Sequence, residues 1–108
     1  MDAKLKEALD LWETQIQAIK EIEGVYFELE ASEKSLYSKL YNSSKEHTIK
    51  DKEASAYDHA DWRQFSKGLA LSKADYLHAL RQLERCKKNY EAVYVSFKND
   101  HDYLRKNS

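Results

Sequence analysis

From Trp62 onward every seventh residue is apolar: Trp62, Leu69, Tyr76, Leu83, Tyr90, Phe97 and Leu104. Three residues after the first five of these come Phe65, Ser72, Ala79, Cys86 and Val93, mostly small or apolar. Such a repeat is the seam of a coiled coil, because it holds one stripe of a helix against a partner. The register runs straight through Val93-Tyr94-Val95-Ser96-Phe97, residues of the kind strands favour. Strand alternation would group Val93, Val95 and Phe97 and leave Tyr90 and Leu104 outside the pattern, so the spacing predicts continuous helix.

The N-terminal part carries its own stripe. Leu5, Leu9, Trp12, Ile16, Ile19, Ile22, Tyr26, Leu29, Leu36 and Leu40 recur at helical spacings and keep their phase across Gly24. Around Asn42-Ser43-Ser44 the stripe stops, and small polar side chains that compete for the backbone gather there. Thr48, with Asp51 three residues on, resembles a capping box that restarts a helix at Ile49. Asp58 offers a second cap, which would leave 49–57 as a short separate helix.

With no proline, two glycines and 34% charged residues, 108 residues read as a single all-α domain over 1–108. The expected fold is a long antiparallel helical hairpin with coiled-coil heptads. Helix 1 runs over about 3–41, a turn over about 42–48, and helix from about 49 to 105 with a break near 58–61. Two helices cannot enclose a seam of Trp12, Ile19, Tyr26, Trp62, Leu69, Tyr76, Leu83, Tyr90, Phe97 and Leu104 together with the flanking Leu11, Leu71, Leu77 and Leu80. Self-association into a helical bundle is therefore expected, with its order left open by the bulky aromatics.

No apolar run reaches the roughly 18 residues that span a bilayer, and Met1 to Glu7 mixes both charge signs where a signal peptide has an apolar core. No membrane partner and a cytoplasmic location are expected. The lone Cys86 forms no disulfide within the chain and falls on the seam as a small packing residue. Phosphate loops, nucleophile elbows and His-Glu-x-x-His motifs are missing from the sequence, which argues against an enzyme. His47, His59, His78 and His101 are scattered; only Asp75-x-x-His78 approaches di-iron spacing, and the glutamates of the first helix lie largely off its apolar face. Neither metal nor cofactor is expected.

The net charge of −1 conceals a gradient: nine acids and five bases in 1–40, four acids and seven bases in 81–108. Pairing between the arms of a hairpin accounts for it, and so does attraction of the C-terminal arm to polyanions. Arg81, Arg85, Lys87, Lys88, Lys98, Arg105 and Lys106 spread over that arm with Tyr94 and Tyr103 just off the seam. Lysine and arginine neutralise phosphates and tyrosine stacks on bases, which is how single strands are bound. Glu84, Glu91, Asp100 and Asp102 share the segment, and a tyrosine at a seam's edge also serves packing.

Thr48, Lys52-Glu53-Ala54, Ala56, Leu69-Ala70, Ala74, Leu83-Glu84, Tyr90-Glu91-Ala92, Phe97 and the closing Arg105-Lys106 form a pattern over residues 45–108. It resembles small helical proteins of tailed phages, the recombination mediators of the UvsY type. The resemblance implies a non-enzymatic, oligomeric accessory of DNA recombination or replication that acts in the host cytoplasm on single-stranded DNA with a recombinase-type partner. It implies Lys52, Lys87, Lys88, Lys98, Arg105 and Lys106 as phosphate contacts, with Tyr94 and Tyr103 as stacking residues. The alternative from the residues alone is a coiled-coil adaptor or scaffold that binds only protein.

Overall fold

A computed structural model describes the backbone of residues 2–106 and the side chains of residues 2–105. The chain is all-α, a helical hairpin of α1 (Ala3–Asn42), α2 (Ile49–Asp58) and α3 (Ala60–Lys106). The strand-like run Val93 to Phe97 lies inside α3. The chain divides into two compact units, one of Met1–Glu21 with Leu77–Ser108 and one of Ile22–Tyr76. Where the sequence reads as one domain, each unit draws on both α1 and α3.

Local chemistry fixes the helix ends. Asp2 Oδ1 accepts from the N–H groups of Lys4 (2.7 Å) and Leu5 (3.3 Å), capping α1. At its far end the Ser43 hydroxyl donates to the Lys39 carbonyl at 2.8 Å, and Ser44 N–H donates to Tyr41 at 3.3 Å, tightening the last turn. Thr48 has extended backbone (φ −99°, ψ 153°), and its side chain accepts from Asp51 N–H at 3.1 Å, so α2 starts at Ile49 as the sequence implies.

The break before α3 falls within the expected 58–61, at His59, but its cap differs from the expectation. Asp58 is the last residue of α2, and the residue that caps α3 is His59, whose Nδ1 accepts from Asp61 N–H at 3.1 Å. Asp58 serves through its main chain instead. Its carbonyl accepts from Arg63 Nε at 3.1 Å and Nη2 at 2.6 Å, so one guanidinium satisfies the end of α2 from the first turn of α3.

In the unit formed by Met1–Glu21 and Leu77–Ser108, Leu5, Ala8, Ile19 and Ala79 are buried. Trp12 meets Tyr90 with ring centroids 5.3 Å apart, and the three-later positions Ala79, Cys86 and Val93 are small enough to let such rings in. Leu104 does not belong to this packing: it is 66% exposed. The groove at the start of α1 is lined by Asp2, Ala3 and Lys4 with Val93, Ser96, Phe97 and Asp100, so α1 begins opposite Phe97, short of Leu104.

In the unit Ile22–Tyr76, Tyr26 stacks on Tyr76 at 5.2 Å and 10°, with Phe27 against both rings. Toward the turn, Tyr37 touches Tyr41, Tyr57 and Trp62, and Trp62 touches Tyr57 and Phe65. This cluster holds α2 in place, and beneath it Ala56 is 1% exposed. Gly24 and Gly68 lie within helices, each costing about 1 kcal/mol relative to alanine.

Tyr26 is held protonated above the ordinary tyrosine value of 10.0 by its hydrogen bond with Glu30 and by burial. Tyr37 is shifted the same way by burial and by its hydrogen bond with Tyr57. Because the unfolded chain releases these protons first, stability is full below pH 10 and falls as pH rises through the unfolded value toward the raised folded ones. Urea titrations either side of pH 10 will show this loss, and Tyr26→Phe with Tyr37→Phe will flatten it; an unchanged pH slope in the double variant would refute the assignment.

Candidate nucleic-acid interface

Helical spacing sorts the basic residues of α3 by face. Lys87, Tyr94 and Lys98, at steps of seven and four, share one edge of the helix. Tyr94 lies on Tyr90 at 6.3 Å and 26°, and Tyr90 lies on Trp12, so a ladder of rings leads from the seam to the surface. Tyr94 is 46% exposed, one face packed and the other open to a further ring. Among the described residues, neither Lys87 nor Lys98 has a carboxylate within 4.0 Å, although Glu91 occupies the same edge between Lys87 and Tyr94.

Lys88 faces another way. It shares the outer face of α3 with Arg81 and Arg85 at steps of four and three, all three exposed. Its ammonium lies 3.9 Å from Glu84 on the preceding turn, a solvated pair of little energetic weight. Arg81 and Arg85 fall outside the residue set implied by the resemblance, yet the spacing 81, 85, 88 places them together. Tyr103 and Arg105 are exposed in the last turns of α3, and the Lys106 side chain lies outside the described residues.

Lys52 is not part of this group. It belongs to α2, in the unit Ile22–Tyr76, where its Nζ sits 5.6 Å from the centre of the Tyr41 ring and the residue is half-buried. That cation–π contact makes it a packing residue of the turn rather than an open phosphate ligand. The seam positions Trp12, Ile19, Tyr26, Trp62, Leu69, Tyr76, Leu83, Tyr90 and Phe97 are all buried or half-buried.

His59 pairs with Asp61 and Lys88 with Glu84, each joining near neighbours in the sequence. Arg81, Arg85, Lys87, Lys88 and Lys98 are exposed, interleaved with Glu84, Glu91 and Asp100. Exposed lysine and arginine beside an open ring are groups of the kind that neutralise phosphates and stack on bases, without sequence readout. Among the described residues no three histidine, cysteine or carboxylate side chains converge as metal ligands, and no helix is long and apolar enough to cross a membrane.

No family model matches this chain, and no curated protein or solved structure is similar to it.

Proposed function

We propose that this chain is a self-associating helical scaffold, non-enzymatic, whose exposed helix faces bind other helices. The observation that carries this reading is surface area. The chain presents 8607 Å² to solvent, whereas a folded monomer of 12.7 kDa presents about 6,200 Å². Its seam as far as Phe97 is buried or half-buried within the chain, yet Leu11, Leu77, Leu80 and Val95 remain exposed in one unit and Val25, Phe27, Ile49 and Leu71 in the other. Apolar side chains in that proportion favour partners. Light scattering across a dilution series will give a mass above 12.7 kDa that falls on dilution. A monomer at every concentration would sink self-association.

A second reading is favoured by one observation, the Trp12, Tyr90, Tyr94 ladder flanked by Lys87 and Lys98. In it the scaffold is an accessory of DNA recombination or replication that binds single-stranded DNA weakly and presents it to a recombinase-type partner. Fluorescence anisotropy with a labelled oligonucleotide will show binding that weakens steeply with salt, each phosphate contact contributing about 0.7 to the logarithmic slope. Tyr94→Ala will reduce affinity roughly tenfold, the value of one lost stack. Lys87→Glu with Lys98→Glu will lower the salt slope as well. Folded protein that binds no oligonucleotide at low salt would leave the protein-only scaffold.

A further inference from the structure

Gly68 lies inside α3, and the chain itself supplies no steric reason for a glycine there. Its φ is not positive, and a Cβ built on it would meet nothing within 4 Å. Three residues on, Leu71 is 64% exposed and stands off the seam. Gln64 and Asp75 are exposed too, and steps of four, three and four put Gln64, Gly68, Leu71 and Asp75 on one face of the helix. A notch, a projecting leucine, an amide and a carboxylate thus stand in line. Among the described residues no basic nitrogen lies within 4.0 Å of the Asp75 carboxylate.

We infer that this face of α3 receives the same face of a second copy, in an antiparallel two-fold contact. The inference rests on the self-association proposed above and names its surface. A two-fold contact places residue i against j and j against i. With the axis between residues 69 and 70, Leu71 of each copy covers Gly68 of the other, and the Gln64 amide of each meets the partner's Asp75 as donor to acceptor. Parallel pairing would set leucine on leucine and Asp75 on Asp75, a like-charge clash. Glycine lets the two backbones approach closely at the crossing, which gives its position a purpose. Over the whole chain the surplus above a typical monomer is about 2,400 Å², and a standard interface takes about 800 Å² from each partner.

Sedimentation equilibrium and thermal melts on four proteins test this. Gly68→Ala adds a good helix former in open space, so it will raise the Tm of the dilute monomer by a few degrees while weakening association roughly tenfold. Leu71→Lys will abolish association with helicity unchanged. Gly24→Ala, on α1 with the same open surroundings, will raise the Tm and leave association as in the wild type. If the wild type associates and both Gly68→Ala and Leu71→Lys associate equally well, the face is wrong and self-association through another surface stands. If the wild type is monomeric throughout, both proposals fall.

Discussion

Trp12 against Tyr90, and Tyr26 against Tyr76, are the contacts on which the hairpin depends, because each sets the register of α1 on α3 within its own unit. Tyr26 lies fourteen residues after Trp12 and Tyr76 fourteen before Tyr90, two heptads each way in the sequence. Large rings at one seam position demand small neighbours at the next, which Ser72, Ala79 and Cys86 supply. An aliphatic seam tolerates sliding by a heptad. A seam of paired large rings beside small residues resists it, since a slipped ring meets a neighbour of the wrong size.

Periodicity made most of this architecture legible. The heptads from Trp62 to Phe97, the end of α1 near Asn42 and the Thr48 cap all follow from local rules that act within one or two turns. The misreadings are of another kind. Asp58 and His59 are both competent caps by composition, and which one serves depends on Arg63 reaching back to the Asp58 carbonyl. Leu104 continues the repeat but has no opposing helix, and a repeat carries no record of where its partner begins. Lys52 reads as an open cation until Tyr41 is placed beneath it.

The candidate site was legible only in part, because composition counts charges without assigning faces. Seven bases in the C-terminal segment suggest one basic surface. The helix separates them into an edge containing Lys87, Tyr94 and Lys98 and an outer face containing Arg81, Arg85 and Lys88, each with acids interleaved. The attraction that the charge gradient supplies between separated residues is long-range and screened by salt. Packing rings rather than opposite charges specify which helix pairs with which.

The two units differ in how they are drawn from the chain. Ile22–Tyr76 is one uninterrupted segment, whereas the other unit joins the two extremities of the sequence. Closing a loop costs entropy that grows with its length, so the cluster from Tyr37 to Phe65 is the least expensive to assemble, and its closure shortens the loop that Trp12 and Tyr90 must span. The contact of Trp12 with Tyr90, on which Tyr94 rests, closes a longer loop than that of Tyr37 with Trp62, so Tyr94 offers its ring to solvent from the costlier of the two closures.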